Sequence, residues 1–64
     1  MILIANNLKR LRNDKGISQQ TLADKVGLSR TTINNIEHDR VDPSIKNLQL
    51  LANALGVHIK EFFQ

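Results

Sequence analysis

The stretch Ile17-Ser18-Gln19-Gln20-Thr21-Leu22-Ala23-Asp24-Lys25-Val26-Gly27-Leu28-Ser29-Arg30-Thr31-Thr32-Ile33-Asn34-Asn35-Ile36-Glu37-His38 decides the fold. Ser18 and Ser29 each stand where a helix needs an N-cap. Around Ser18, Ile17 and Leu22 make a hydrophobic staple; around Ser29, Leu28 and Ile33 do the same. One helix therefore runs from Ser18 to about Val26 and another from Ser29 to about His38, with Gly27 between them. The Gly27-Leu28-Ser29 connection is too tight for the two helices to run antiparallel, so they must cross at a steep angle. A glycine at that turn admits a backbone conformation that a side chain resists. Ala23 is small where the two helices must approach closely.

Viewed down its axis at about 100° per residue, the second of these helices separates into two faces. With Arg30 at zero, Thr32, Ile36 and Ile33 fall at about 200° to 300°, while Asn34, His38, Thr31 and Asn35 fall at about 40° to 140°. The polar face carries no acid. Glu37, the helix's acidic residue, lies at the inward edge. A helix that enters a DNA major groove beside phosphates needs such a face, and Arg, Asn and Thr suit base edges: guanine, adenine and the thymine methyl respectively. The face has a second reading, a helix surface that is simply solvated; the paired caps around the glycine turn weigh against it.

Working outward, apolar residues recur at three and four positions throughout, and no strand alternation appears. Leu3 to Asp14 reads as a first helix with Ile4, Leu8 and Leu11 on its buried stripe, closed by Gly16. After a loop over Asp39-Arg40-Val41-Asp42-Pro43, a fourth helix starts at Asp42, with Pro43 at its first position, or at Ser44. It is expected to carry Ile45, Leu48, Leu51, Ala52 and Leu55 inward and to end at Gly56. Ile59 to Phe63 reads as a short fifth helix. The expected architecture is all-α, a compact five-helix domain over residues 1–64 with its helix-turn-helix at about 18–38.

Sixty-four residues leave room for one domain. A chain of that size buries only about 60% of the surface it exposes unfolded, so it depends on good caps, efficient packing or a partner. With no cysteine, neither disulfides nor thiolate metal ligands are available. The net charge of +3, from nine Lys and Arg against six Asp and Glu, is compatible with a polyanionic partner. Aromatics are confined to Phe62 and Phe63, which disfavours an RNA platform built on stacked rings. His38 and His58 lack a supporting ligand cluster, and the glycines are isolated helix terminators rather than a phosphate loop. No catalytic residue, metal site, cofactor or small-molecule ligand is expected. Nothing in the sequence reads as a signal peptide or as the roughly 18 apolar residues a membrane span needs. A cytoplasmic, non-enzymatic protein with no membrane partner is expected.

The residues from Ile17 to Glu37, with Leu8-Lys9-Arg10-Leu11-Arg12 before them and Asp42-Pro43-Ser44-Ile45 and Leu48 to Val57 after them, resemble the phage repressor/Cro (Xre-like) helix-turn-helix family. The resemblance implies a five-helix DNA-binding domain, a regulator of transcription that binds a palindromic operator as a homodimer. Position by position, it implies that Arg30, Thr31 and Asn35 read bases. It implies phosphate contacts from Gln19, at a helix N-terminus, and from Ser29, Asn34, Arg40 and Lys46. It also implies an interior ion pair between Arg12 and Glu37, which keeps both out of the reading site. His58 departs from the family, which more often has Ser or another good cap there. On the sequence as it stands to Gln64, the separate oligomerisation domain of larger phage repressors is not expected.

Adjacent residues on a helix point about 100° apart, so Phe62 and Phe63 do not both fit one small core. One ring is expected inside; the dimer contact is expected from Val57, Ile59, Phe62 and Phe63, setting two reading helices about 34 Å apart, one DNA turn. The alternative is an antitoxin-like module that serves mainly to bind a protein partner, for which an extra tail or long apolar helix is the expected sign.

Overall fold

The computed structural model describes residues 2–64; Met1, the first residue of the domain expected over 1–64, lies outside them. Four α-helices are followed by a 3-10 helix: α1 Ile2–Asp14, α2 Gln19–Val26, α3 Arg30–Glu37, α4 Ile45–Leu55, and the 3-10 helix Ile59–Phe63. Among the described residues the regular structure is all-helical, and the fifth helix anticipated from sequence takes the tighter form. Its geometry follows from its two ends. His58 Nδ1 accepts the Lys60 N–H at 3.1 Å, and Glu61 N–H bonds back three residues to the His58 carbonyl at 2.9 Å. At the far end Asn7 Nδ2 of α1 donates to the carbonyls of Phe62 at 2.9 Å and Gln64 at 3.1 Å. A five-residue segment held at both ends closes as a 3-10 turn, a form used in short pieces.

One device starts three helices. The hydroxyl oxygens of Ser18, Ser29 and Ser44 each accept the backbone N–H three residues on, at 3.0 Å in every case. This satisfies a donor that has no partner within the helix. For α4, Ser44 rather than Asp42 is the cap, so Pro43 precedes the cap instead of occupying the first helical turn. The inward stripe of α4 then begins one turn later than the periodicity suggested. Ile45, expected inside, is 69% exposed, whereas Leu48, Leu51, Ala52 and Leu55 are buried, since the apolar core does not extend to the first turn of α4.

The core takes Ile4, Leu8 and Leu11 from α1, Leu22 and Ala23 from α2, Ile33 and Ile36 from α3, and the four inward residues of α4. Phe62 closes it, fully buried. Two polar residues, Asn7 and Glu37, lie inside with this apolar set. Among the described residues no buried side-chain nitrogen or oxygen lacks a partner, as a domain with so little apolar surface to bury requires.

Leu51→Ala is expected to cost about 3 kcal/mol, a large cavity in a small core. Ile45→Ala should change stability by no more than about 0.5 kcal/mol. Urea unfolding of both variants measures the contrast, and equal losses would place Ile45 back in the core.

Candidate nucleic-acid interface

Gly27 carries the turn between α2 and α3 in the left-handed region, at φ 72°. Its N–H and that of Leu28 both bond to the Ala23 carbonyl, and Ala23 itself is fully buried where the two helices meet. The turn fixes which face of α3 is presented. Ile33 and Ile36 point into the core; Arg30, Thr31 and His38 are exposed, and Asn34 and Asn35 are half-buried. Thr32 sits half-buried at the boundary, its hydroxyl 2.9 Å from that of the cap Ser29.

The acid of α3 is withdrawn from this face. Glu37 meets Arg12 of α1 through two bonds, Arg12 Nε to Oε2 at 2.7 Å and Nη2 to Oε1 at 3.1 Å. Arg12 Nη1 also donates to the Ile17 carbonyl at 2.7 Å, in the loop that leads into α2. The side chains of the pair are 12% and 1% exposed. Hydrogen bonding to Glu37 raises the Arg12 pKa above its ordinary value; burial works the other way, and the Glu37 charge adds to the rise. A base with a raised folded pKa contributes stability that is complete below the unfolded value and is lost only as pH climbs through the folded one. For a guanidinium that window lies far above neutrality, so the arginine side of the pair adds no pH dependence near pH 7.

From Glu37 a chain of amides runs to the surface. Gln19 Nε2 donates to Glu37 Oε1 at 3.1 Å. Asn34 Nδ2 donates to Gln19 Oε1 at 3.4 Å. Arg40 Nη1 donates to Asn34 Oδ1 at 3.3 Å and to Asn35 Oδ1 at 3.4 Å. Gln19, Asn34, Asn35 and Arg40, singled out separately in the sequence, thus form one network. Arg30, Thr31 and Ser29 line the N-terminal end of α3, and Lys46 is exposed in the first turn of α4.

At the C-terminus Phe63 is 45% exposed, and Val57 and Ile59 are half-buried against the core. Phe62 does not belong with them: its ring is the one the core takes, and at 0% exposure it has no surface left for a second chain. Sequence reasoning also missed Asn7, which accepts from Arg10 Nη2 at 3.3 Å besides tying down the C-terminal carbonyls. A signal was present. Position 7 lies on the stripe of Ile4, Leu8 and Leu11, and a polar residue there needs a buried partner. No comparable signal announced the Gln19–Glu37 bond between residues so far apart in the chain. Among the described residues no group of His, Asp and Glu is arranged to hold a metal ion, and no helix is long and apolar enough to cross a membrane.

Arg12→Ala should cost about 3–5 kcal/mol, because the Glu37 carboxylate is left buried without its cation. Urea denaturation at neutral pH measures this, and a loss below about 1 kcal/mol would mean that the pair is dispensable.

Comparison with known proteins places this arrangement. The sequence profile of the helix-turn-helix family matches residues 8–62. The immunity repressor protein of Bacillus phage phi105 is 36% identical over 56 residues, covering 88% of this chain and 39% of the relative. The HTH-type transcriptional regulator PuuR of Escherichia coli is 39% identical over 56 residues, covering 88% of this chain and 30% of the relative. The chain thus spans well under half the length of both. Among solved structures, the restriction-modification controller protein C.AhdI from Aeromonas hydrophila superposes with a TM-score of 0.93 at 35% identity, over 97% of this chain and 90% of its own.

Proposed function

The chain belongs to the helix-turn-helix family of DNA-binding transcriptional regulators, and from that premise we propose that it binds a palindromic operator as a homodimer, with α3 in the major groove. Regulators of this family act by binding DNA and are not enzymes. The observation that carries the proposal is the outward face of α3: Arg30 and Thr31 exposed, the two asparagines beside them, and the helix's carboxylate drawn inward onto Arg12. Left outside, that carboxylate would stand among phosphates and repel them. The first turns of α2, α3 and α4 likewise carry no acid, which suits helix N-termini that face an anion.

In this reading Arg30, Thr31 and Asn35 face base edges and choose the site. Gln19, Ser29, Asn34, Arg40 and Lys46 lie toward the phosphates and supply affinity that falls with salt. Phe63, with Val57 and Ile59 behind it, forms the two-fold contact between protomers, since an exposed ring beside a well-filled core gains most by burial against its own copy. Bound dimer would then repress by covering promoter DNA, or act as a controller of its own operon.

Selection from a random duplex library should enrich an inverted repeat with half-sites about 10 base pairs apart, centre to centre. Arg30→Ala should relax preference at one position of each half-site, by about 1–3 kcal/mol measured as binding to site and substituted site. Binding that enriches no motif would exclude the reading role of α3. Separately, Phe63→Glu should keep its helical spectrum yet sediment as a monomer and lose operator affinity; a variant that remains dimeric would place the contact elsewhere.

A further inference from the structure

We propose that Arg40 governs the selectivity of Asn35: besides its place toward the phosphates, it is a positioning residue that fixes the amides at the end of α3. The proposal rests on the DNA-reading role of α3 given above. It begins with Glu37, which is buried and accepts hydrogen bonds only. An amide that bonds to it must turn its N–H group inward. Gln19 does so through Nε2, which leaves the Gln19 carbonyl directed away and in need of a donor. Asn34 Nδ2 supplies that donor, and the Asn34 carbonyl is then left in the same position. Each link dictates the next. A guanidinium has donors and no acceptor, so it terminates such a chain without ambiguity. Arg40 is that terminus, and the same Nη1 that reaches Asn34 Oδ1 also reaches Asn35 Oδ1.

The backbone puts Arg40 in place. Asp39 adopts φ 57°, the left-handed conformation that reverses a chain at a helix C-terminus. The Arg40 N–H then bonds to the Asn35 carbonyl at 2.9 Å, so the side chain starts just past the end of α3, tied to its last turn. From there its guanidinium faces the two asparagine carbonyls.

Two consequences follow for recognition. Phosphate oxygens are acceptors, and the group Asn34 turns toward Arg40 is also an acceptor. Asn34 therefore acts as a link in the chain, and a phosphate contact from it falls to the second hydrogen of its Nδ2. Asn35 gains a defined orientation. A free asparagine amide presents either its oxygen or its nitrogen to a given base atom, and discrimination between bases depends on which one is there. With its carbonyl held toward Arg40, Asn35 offers one pattern of donor and acceptor instead of two.

The test uses the site selected by the wild-type protein and compares Asn35→Ala, Arg40→Ala and the double variant on that site and on all its single-base substitutions. Asn35→Ala identifies the base pair that residue reads. Arg40→Ala should lose about five- to hundredfold of the discrimination at that same base pair, and the double variant should discriminate there no worse than Asn35→Ala. Any bond from Arg40 to a phosphate cancels in this ratio, because its removal weakens binding to every duplex alike and lowers the salt slope by about 1. A uniform loss of affinity from Arg40→Ala, with discrimination intact, overturns the proposal and leaves α3 as the reader. So does an Asn35→Ala variant that relaxes no position. A wild-type protein that selects no site removes the reading role of α3 and this proposal together, before any variant is compared. Arg40 is exposed, and circular dichroism of the variants confirms that they fold.

Discussion

The bidentate bond between Arg12 and Glu37 is the interaction on which the rest of this structure depends. Removing two charges from water is costly, and a buried pair is tolerated only when its geometry is good and its remaining donors and acceptors find partners. Here they do. Arg12 reaches the carboxylate through two nitrogens and the Ile17 carbonyl through a third, and Gln19 adds a further bond to the carboxylate. One cluster thereby ties α1 to the loop before α2, to the first turn of α2 and to the last turn of α3. The elements are short, and none would be stable alone; a junction that touches all three fixes their relative angles as well as their contact.

The same bond separates two tasks on α3. A helix that faces polyanionic DNA is best without outward acids, yet Glu37 is retained at its end. Turned inward, the carboxylate contributes structure; it also acts as the acceptor from which the amides of Gln19 and Asn34 take their orientation. The interior thus has a say in how the surface is presented. Such a chain costs little in apolar burial, because the two amides that carry it outward, Gln19 and Asn34, are only half-buried. Hydrogen-bonded neighbours polarise one another, so the orientation of one amide bears on the next.

At the opposite end of the molecule Asn7 plays a comparable part. Its amide receives the last carbonyls of the chain, and this draws the 3-10 helix against α1 and seats Phe62 over the core. Phe63 is thereby turned outward. Of the two adjacent aromatic rings, Phe62 is the structural one and Phe63 stays 45% exposed.

Much of this was legible in the sequence. The serine caps and staples at Ser18 and Ser29, the glycine that ends α2, the buried stripes of α1 and α4 and the inward lean of Glu37 are local matters of periodicity and backbone geometry, which a linear sequence records. So are the residue types on the outer face of α3. What the sequence did not record depends on distances between residues remote in the chain. Ile45 falls on the periodic face of α4, yet only the tertiary packing decides that it stays outside the core. Phe62 and Phe63 are equivalent in the sequence until Asn7, at the other end of the chain, distinguishes them. Gln19, Asn34 and Arg40 read individually as phosphate contacts implied by the resemblance and not as one network, because a side-chain hydrogen bond has no signature in spacing when its partners lie on different elements. The sequence by itself determined where the helices start, stop and turn their apolar faces; the tertiary structure decided which polar groups meet, since that follows from how the helices cross.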